Sequence, residues 1–503
     1  MERNVRWGVL GAVYILGVLC PLAWARYGGG SGTAADPYLI STADHLRQVG
    51  VYRSDWRWDV HYKLTADIDL AGLQEPIEPI GTASMAFMGD FDGNGKTLSN
   101  LKIESDAAEY VGLFGYCAAD IHDLTLVDVD IRAPKSTSVG ALAGWTSGQI
   151  LRCAVRGGFV SGGNMVGGLV GDSLSSMSRC HTACEVRGGQ DVGGLIGRQL
   201  TSVTLSECYS TATVMGTQNV GGLIGTCRGV LKDCYAFASV SGDVFVGGLV
   251  GNGGTDGQLW NCYAAGRCSG NAFVGGVLGC HGFCYSCFWD SDLCREASSF
   301  GVGKTTAELR KAATFRGWGR GGAWTIAEGV EYPRLAWEQR PGMPVTTAAF
   351  PDNEGRGTAQ NPYRIRTVEQ LNTIGLFPGE WDGHYRLESD LDLAGLGEAF
   401  HMIGCELIYF TGVFDGAEHS ISNFVCPYAN YGGGLFAWTR DATIRNVTLV
   451  NPYTEGGWIS IGTLVGQQVE GTIENCKAEG GSVAGGLFVG GLIGRCSSGV
   501  VTR

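Results

Sequence analysis

The hydrophobic positions of this chain recur in short runs separated by glycine, and the most regular run reads Val-Gly-Gly-Leu-(Val/Ile)-Gly. This glycine hexad stands at 166–171, 192–197, 220–225, 246–251 and 489–494, with variants at 111–115, 139–144, 274–279 and 461–466. The glycines that close these copies are Gly115, Gly144, Gly171, Gly197, Gly225, Gly251, Gly279, Gly466 and Gly494. In the main array, consecutive closing glycines lie 26 to 29 residues apart. A fixed period of this length is typical of solenoids and propellers, in which stacking buries the apolar face that one unit cannot bury alone.

A second repeated run carries a cysteine among strand-forming residues, as in KDCYA at 232–236. Its cysteines are Cys153, Cys180, Cys208, Cys234 and Cys262 in the main array and Cys476 near the end of the chain. Because these cysteines advance in step with the glycine hexads, we expect one of them at the same stacked position of each coil.

Both runs are short, favour β structure and are bounded by glycine, so they predict coils built of strands and turns. Successive coils would then pair in parallel at a spacing of about 4.8 Å. Because parallel crossovers are right-handed, the predicted fold is all-β, a right-handed parallel β-helix or β-solenoid. A β-propeller is the alternative, although its blades need roughly 40 residues or more.

A longer self-similarity indicates a tandem duplication, since residues 36–115 resemble 361–436 almost phrase by phrase. We predict a first module at 26–338 that ends in a C-terminal cap, a proline-bearing linker at 339–356 and a second module at 357–503. The second module has no counterpart of the first module's closing segments. We therefore expect it to be incomplete, the alternative being a cap supplied by another element.

Three short helices are predicted around these arrays. Ser41-x-x-Asp44 and Thr367-x-x-Gln370 are capping-box patterns, each followed by apolar residues at helical spacing, so each module would open with a short N-terminal capping helix. The segment 304–315, KTTAELRKAATF, predicts another helix near the far end of the first module.

The first 25 residues have the pattern of a secretory signal peptide. Arg3 and Arg6 precede an apolar stretch, and Ala23-Trp24-Ala25 predicts cleavage between Ala25 and Arg26. The apolar stretch is too short for a comfortable transmembrane helix. We expect an exported protein, secreted or associated with the cell envelope, with no transmembrane segment beyond the signal.

Composition narrows the classes of partner. Glycine is frequent, with 82 residues against 13 prolines, and 44% of the chain is hydrophobic, which indicates ordered tight packing rather than disorder. The formal net charge is −13 and the basic residues form no run. Nucleic acid is therefore not an expected partner, because its recognition needs a basic footprint.

Four phrases together resemble the GLUG-motif repeat proteins: VGGLVG, the NCYA strand, the FDGNGKTL turn and the CFWD to YPRL closure. This resemblance covers nearly the whole chain after the signal. It implies a repeat protein of the kind found in secreted and surface proteins of bacteria. The repeat occurs beside several unrelated activities, including some immunoglobulin-A-cleaving proteases whose catalysis lies in another domain.

The cysteines admit several interpretations. Directly stacked residues have nearly parallel Cβ vectors about 4.8 Å apart, wider than a disulfide prefers, so we expect the ladder cysteines to be packed free thiols. Cys280, Cys284, Cys287 and Cys294 cluster where the array ends and could form a cap disulfide or simply pack. A zinc site with His281 fits less well, because the spacing matches no paired-knuckle pattern.

Other motifs favour structure over chemistry. GVGKTT at 301–306 lacks the first glycine of a phosphate loop, since Ser298 stands in its place. Asp90, Asp92 and Asn94 could suggest calcium, but a glycine turn explains them better. Asp67 and Asp69 recur in the second module and are expected on a solvated strand edge. We predict no cofactor and no bound metal.

The leading functional hypothesis is a non-catalytic exported scaffold with a structural or adhesive role at the cell surface, whose partner is an extracellular glycan or matrix protein. No zinc-protease helix motif or serine-hydrolase elbow occurs in the sequence. One alternative is an accessory array of a larger secreted enzyme, acting on protein or polysaccharide. Another is a glycan-binding or glycan-cleaving β-helix, with Trp56, Trp58, Trp145, Trp260 and Trp289 as sugar platforms.

Overall fold

Parallel pairing between coils dominates the structure, a computed structural model that describes residues 27–502 except 74–76, 108, 201–202, 296–299, 316–317, 319–321, 346–354, 377–379, 397–399 and 406–408. The chain is an all-β parallel solenoid, as the repeat spacing predicts, and its described part contains two short α-helices. The signal segment, including Ala25 and Arg26, lies outside the described residues.

The first array contains two parallel sheets that run along the solenoid axis. The main sheet consists of Tyr38–Ile40, His61–Leu64, Ile68–Asp69, Asp90–Ser99, Lys102–Glu104, Glu109–Val111, Ile121–Gly140, Ile150–Leu151, Ala154–Gly167, Met177–Ser178, His181–Arg187, Gln190–Gly193, Thr204–Ser206, Tyr209–Ser210, Thr213–Met215, Gln218–Gly221, Val230–Lys232, Tyr235–Ala236, Ser239–Ser241, Val244–Gly247, Gln258–Trp260, Tyr263–Ala264, Cys268–Ser269, Ala272–Gly275, Phe283–Tyr285, Phe288–Asp290 and Val302–Lys304. The second sheet, here called the corner sheet, consists of Phe114–Cys117, Ala143–Thr146, Val170–Ser173, Ile196–Gln199, Ile224–Cys227, Val250–Asn252 and Leu278–Cys280.

The second array repeats this plan in four smaller parallel sheets. Its strands, sheet by sheet, are Tyr363–Ile365, His384–Leu387, Val413–Asp415, Ala442–Arg445, Gly471–Glu474 and Val500–Thr502; Leu391–Asp392, Ser420–Ser422, Thr448–Val450 and Lys477–Glu479; Val425–Gly433, Tyr453–Ile461, Ser482–Ala484 and Leu487–Val489; Phe436–Thr439, Val465–Gln468 and Ile493–Cys496. Three short strands in the segment that follows the first array in the sequence, Trp324–Ile326, Arg334–Leu335 and Met343–Pro344, form a separate antiparallel sheet.

Each glycine hexad of the first array forms a corner between the main sheet and the corner sheet. In the copy at 220–225, Val220, Leu223 and Ile224 are fully buried, as the apolar pattern predicts. The glycines face the neighbouring coils: a Cβ on Gly222 would lie 2.1 Å from the carbonyl oxygen of Gly248. None of the hexad glycines at 221, 222 and 225 has a positive φ. Close approach of backbones, rather than an unusual turn conformation, therefore requires glycine here.

Non-glycine residues supply most of the left-handed backbone positions of the main coils. One such position immediately precedes the ladder cysteine, as at Asp233 with φ 51°, and another precedes the hexad, as at Asn219 with φ 54°. Asparagine and aspartate tolerate this region better than most residues. At 94–95, Asn94 with φ 51° and Gly95 with φ 69° form an irregularity within the strand Asp90–Ser99, so the predicted glycine with positive φ is present but lies inside a strand rather than in a turn.

Short helices stand at the start of both arrays, α1 at Ala43–Val51 and α2 at Val368–Leu376. The capping box of α2 is formed as predicted, since Gln370 accepts from the Thr367 backbone N–H and donates its own N–H to the Thr367 hydroxyl. For α1 the predicted cap is displaced by one residue, because Thr42 rather than Ser41 accepts from the His45 N–H.

The predicted helix at 304–315 is wrong: the segment forms turns and then a 3₁₀ helix at Ala312–Phe315. The Thr305 side chain and Glu308 bond reciprocally and close one turn there. Beyond it, Phe315 and Trp318 are fully buried in a cluster with tyrosines of the solenoid flank. Burial of these aromatic rings against the flank outweighs continuation of the helix.

The described residues of 304–345, which we call the flank brace, lie along the side of the first array rather than covering its end. Trp324 donates to Asp233, Tyr263 donates to the Pro333 carbonyl, and Trp337 packs on Tyr209. The segment that the sequence predicts as a C-terminal cap thus contacts the side of several coils. Tyr285, at the last coils of the first array, instead lies 6.3 Å, ring centroid to ring centroid, from Trp381 of the second array.

Replacement of Gly222 by alanine should destabilise the solenoid, because the added methyl group would meet the Gly248 carbonyl oxygen of the next coil at 2.1 Å. Gly491 is the matched control: it occupies the same hexad position, but a Cβ there would have no heavy atom within 4 Å. We expect Gly222→Ala to lower the free energy of unfolding by about 1–3 kcal/mol, measured by urea denaturation. Equal effects of Gly222→Ala and Gly491→Ala would contradict the packing explanation.

Candidate functional site

Two positions flank each hexad of the first array, the residue before it and the residue after its closing glycine. The first position has a left-handed backbone in every coil, and the second lies on a strand of the corner sheet. Together these positions define the corner strip, whose members are Tyr110, Ser138, Met165, Asp191, Asn219, Phe245 and Phe273 before the hexad, and Tyr116, Trp145, Asp172, Arg198, Thr226, Asn252 and Cys280 after it.

The closing glycines bring the two halves of the corner strip together. A Cβ on any of them would lie 2.3–2.6 Å from a backbone atom of the preceding coil: Gly115, Gly144, Gly171, Gly197, Gly225, Gly251, Gly279, Gly466 and Gly494. In the first array, that backbone belongs in most coils to the left-handed residue of the strip, as with Gly225 against Asp191. The repeated glycine thus makes the corner sharp and sets polar and aromatic side chains across it.

Aromatic rings occupy one end of the corner strip. Tyr116 and Trp145 stack with their centroids 4.0 Å apart and their planes 13° from parallel. Tyr110 meets Tyr116 edge-on at 5.2 Å across the corner. All three rings are half-buried. Partial burial raises the pKa of Tyr110, and the negative charges of Glu109 and Asp172 raise it further.

Charged and amide groups follow the rings along the axis. Arg198 binds Asp172 through two bonds, Nε to Oδ1 at 3.1 Å and a terminal nitrogen to Oδ2 at 2.7 Å. One coil further, Asp191 accepts from the Asn219 amide at 2.7 Å and from the Thr226 hydroxyl at 2.6 Å. These contacts fix the polar groups of the strip in one arrangement.

The sequence placed Trp145 among its candidate platforms but did not single out Tyr110, Tyr116, Asp172 and Arg198. They differ in residue type from coil to coil, so no repeat signal marks them. Their positions relative to the hexad are nonetheless constant, and reading the two residues beside each hexad would have found them. The other tryptophan candidates lie elsewhere; the Trp260 ring, for example, contacts that of Tyr285 outside the strip, with centroids 4.8 Å apart and planes tilted by 39°.

The ladder cysteines lie at one stacked position inside the coils. Cys153, Cys180, Cys208, Cys234 and Cys262 are fully buried and carry free thiols, and Cys476 is a half-buried free thiol in the second array. Each thiol donates to the backbone carbonyl two residues earlier, as Cys208 does to Ser206 at 3.2 Å. Burial raises the pKa of Cys153 to about 12, so its thiol is held neutral and unreactive.

The cysteines at the array end are arranged differently from the predicted cluster. Cys294 forms a disulfide with Cys268, whereas Cys280, Cys284 and Cys287 are free. Cys268 was missed as a partner because it stands on a strand outside the cysteine ladder. A disulfide at Cys294 is thus present, but it ties the segment after the array back to a coil rather than closing the cluster on itself.

The acidic motifs carry hydrogen bonds between coils. Asp92 accepts the Asn94 backbone N–H, and the Asn94 amide donates to the Leu64 carbonyl of the preceding coil. Asp67 accepts the Thr97 N–H and Asp69 accepts the Asn100 amide. The same bonds recur in the second array, where Asp390 pairs with Ser420 and Asp392 with Asn423.

One cluster in the described residues has the composition of a metal site. Oxygen and nitrogen atoms of Asp92, His122 and Asp123 lie within 4.8 Å of one another. However, Lys63 contacts Asp92 at 2.6 Å and Arg152 binds Asp123 with two bonds. These cations already compensate the carboxylates, so the cluster serves as a stack of ion pairs between coils.

The glycine-lysine segment at 301–306 offers no cradle for phosphate in its described residues. Its Thr306 backbone N–H donates to Asp292 and its hydroxyl to Asp290, while Lys304 lies 3.7 Å from Glu308. Carboxylates therefore occupy the groups that a phosphate would need.

Comparison with known proteins shows local similarity. No family model matches the chain. It is 38% identical to halomucin of Haloquadratum walsbyi over 156 residues. The match covers 29% of this chain and 2% of halomucin. Over 187 residues it is 32% identical to a provisionally named Gly-rich membrane protein of Evansella cellulosilytica, 30% of this chain and 21% of that protein. The chain thus spans only a small part of the curated relatives it matches.

A solved structure with a similar course of the chain is a provisionally named immunoglobulin A1 protease from Bacteroides ovatus, with a TM-score of 0.46 and 23% identity, covering 62% of this chain and 95% of that one. Among the described residues, no helix is long and apolar enough to cross a membrane.

Thiol counting tests the arrangement of cysteines. After removal of the signal segment with Cys20, the structure has 15 free cysteines and one disulfide. Unfolded but unreduced protein should therefore react with 15 equivalents of a thiol reagent, and reduction should add two. Before unfolding, only the exposed Cys496 should react rapidly. A markedly lower count before reduction would show disulfides within the ladder.

The ion pair between Asp123 and Arg152 predicts that the free energy of unfolding falls at acid pH. Two bonds from Arg152 hold the pKa of Asp123 at about 2, below its unfolded value near 3.9. Its stabilising contribution is therefore full above about pH 4 and is lost as the pH falls towards 2. Because the side chains are 28% and 45% exposed, solvent screening limits this contribution to about 1 kcal/mol or less.

Arg152→Gln should lower the free energy of unfolding at pH 6 by about 0.5–1 kcal/mol, and the difference from the parent should shrink as the pH approaches 2. Urea denaturation at pH 6, 4 and 2.5 measures it, with Arg267→Gln at an exposed position as the control. A difference that does not change with pH would contradict the assignment.

Proposed function

We propose that this protein is a non-catalytic exported repeat scaffold with a structural or adhesive role at the cell surface. The observation that carries the proposal is that the polar groups of the described coils are used between coils. Five aspartates accept hydrogen bonds from residues of a neighbouring coil, and some of these bonds belong to ion pairs: Asp67, Asp69, Asp92, Asp123 and Asp191. Such groups hold the solenoid together instead of forming a paired acid and base around a substrate.

Three further features support the proposal. The N-terminal sequence has the pattern of a signal peptide. One local relative is named halomucin and another is named as a membrane protein, and a surface location comes to this chain from those names as part of the proposal. A stack of parallel coils also presents the same outward positions many times, which suits weak contacts repeated along an extended partner.

Labelling of intact cells with antibodies against the main array tests the location. We expect labelling of unpermeabilised cells or recovery from the medium, with Arg26 as the new N-terminus. The matched variant Ala25→Arg should block processing and accumulate as the longer precursor, because a bulky charged residue does not fit the small-residue cleavage site. Parent protein confined to the cytoplasm with Met1 retained would overturn the proposal.

A second candidate is an accessory array within a larger secreted enzyme. The lengths of the relatives favour it, since the matched stretch is 2% of one protein and 21% of the other. Reading the coding sequence beyond Arg503 tests it. An open frame that enters a domain with a catalytic motif would support this candidate, and an immediate stop codon would remove it.

A further inference from the structure

We propose that the first coils of the first array bind an extended, basic segment of a partner protein, which adds as a strand beside Lys102–Glu104 and covers an apolar cavity there. This binding site and this class of partner go beyond the proposed scaffold role. Four features of the molecule carry the inference: an open strand edge, the cavity next to it, the acidic charge at the rim of the cavity, and the different residues of the second array.

The strand Lys102–Glu104 is paired along one edge. It lies parallel to the next coil, where the Asp130 N–H donates to the Leu101 carbonyl. Along a strand, successive residues direct their backbone N–H and C=O groups to opposite edges. The N–H and C=O groups of Lys102 and Glu104 therefore face away from the next coil. This edge, which we call the open edge, pairs with no strand among the described residues.

The edge is open because the preceding coil ends its strand early. In that coil, the strand Ile68–Asp69 pairs with Leu98–Ser99 of the coil that carries the open edge. The Asp69 carboxylate then accepts the Ala71 N–H at 3.0 Å, and the chain enters a turn. A cavity of about 520 Å³ lies between this turn and the open edge.

The cavity has an apolar lining. Leu70, Ile77 and Leu101 line it and are almost completely buried, and Leu73 lines it and is half-buried. Its volume lies within the range of about 300–1,000 Å³ that is typical of ligand sites. Three extended residues span about 10 Å, and every second side chain of such a segment points to the same face. A short strand on the open edge would thus direct alternate apolar side chains into the cavity.

Carboxylates outnumber cations at the rim of the cavity. Glu104, Asp128 and Asp130 contribute to its lining. Lys102 lies 2.9 Å from Glu104, and Arg132 lies 2.7 Å from Asp130, so each of these cations compensates one carboxylate. Asp128 forms no ion pair with any described residue and leaves the rim with a net negative charge. Charge complementarity therefore favours a partner segment that carries lysine or arginine.

The second array has larger side chains where the first array has the cavity. The corresponding positions lie 323 residues further along the chain, so Phe400 and Phe424 stand in the places of Ile77 and Leu101. The two phenylalanine rings meet edge-on, with their centroids 5.1 Å apart. They take up volume that the shorter aliphatic side chains leave open in the first array.

The second array also differs along the strand edge and at the rim. Pro427 stands in the place of Glu104 and has no backbone N–H, and proline is a common means of blocking a strand edge. Asn451 stands in the place of Asp128 and carries no charge. The shared coil architecture therefore does not require the open edge, the cavity or the acidic rim, and all three belong to the first array.

Calorimetric titration of the purified full chain with three hexapeptides tests the inference. Each peptide is acetylated and amidated and alternates valine with a second residue, which is lysine, glutamine or glutamate. In an extended strand this alternation places the three valines on one face and the variable residues on the other. We expect saturable binding of the lysine peptide, with a Kd about tenfold or more below that of the glutamate peptide.

Two methylated forms of the lysine peptide test strand addition itself. One is N-methylated at the valine nitrogens and the other at the lysine nitrogens. Only one of these two sets of N–H groups faces the open edge when the peptide adds as a strand. One methylated peptide should therefore bind about tenfold or more weakly than the parent peptide, whereas the other should keep most of the affinity.

Three variants transfer residues of the second array to the site. Leu101→Phe fills the cavity and should raise the Kd of the lysine peptide by about tenfold or more. Glu104→Pro removes an N–H of the open edge and should raise it by about threefold or more, and Glu104→Gln separates the effect of the charge. Asp128→Asn should raise it by about two- to fivefold.

Controls separate binding from folding. Asp256→Asn removes an exposed carboxylate of the same array several coils from the site and should leave the Kd unchanged. Unfolding temperatures are compared for all variants. Asp128→Asn changes an exposed side chain, so it keeps the inference testable if Leu101→Phe does not fold.

Absence of saturable binding of the lysine peptide, equal Kd values for the lysine and glutamate peptides, equal Kd values for the two methylated peptides, or a Kd that none of the transferred residues changes would each overturn the inference. The measurement uses purified protein and so does not depend on cellular location. Binding by a protein found in the cytoplasm would overturn the proposed function and leave the strand-addition site standing, whereas a surface protein without binding would do the opposite.

Discussion

The close approach of parallel backbones from one coil to the next is the constraint on which this structure depends. Backbone hydrogen bonding sets neighbouring strands about 4.8 Å apart, so an inward corner of each coil must fit against the next with almost no space for side chains. The glycines of the hexad meet this condition, because a Cβ on them would lie well inside van der Waals contact with neighbouring backbone. Valine and leucine of the same hexad fill the interior and supply the apolar burial that stabilises the stack.

Stacking also explains why many charged and polar side chains form bonds to residues of adjacent coils. When each coil repeats the one before it, an outward side chain always has neighbours at the same position in the adjacent coils. In this way Asp123 forms an ion pair with Arg152, Lys63 with Asp92 and Arg179 with Glu207. The cysteines obey the same rule inside the coils, where their thiols bond to backbone carbonyls. Side chains that would suggest a metal or catalytic site in a compact domain thus bond to residues of adjacent coils or to backbone carbonyls.

The two arrays differ where the flank brace binds. Tyr209, Tyr235 and Tyr263 follow the ladder cysteines of the first array and pack against the brace. The second array has Thr448 and Lys477 at the corresponding positions. Its flank therefore lacks the aromatic row that holds the brace on the first array. The coil, which depends on glycine and apolar residues, is alike in the two arrays, whereas the outward flank differs.

The period, the parallel coils and the apolar interior of each coil follow from the amino-acid sequence alone, because they depend on which positions are glycine or apolar, and that pattern repeats. The positive φ of Gly95 and the capping box of α2 could likewise be predicted from local residues. Tertiary structure alone decided the course of 304–345, where burial of Phe315 and Trp318 on the flank replaced a locally plausible helix. It also decided the pairing of Cys268 with Cys294 and the meeting of Tyr116, Trp145, Asp172 and Arg198. Such side chains vary from coil to coil, so only the register of the stacked backbones, which places each coil directly over the last, brings them together.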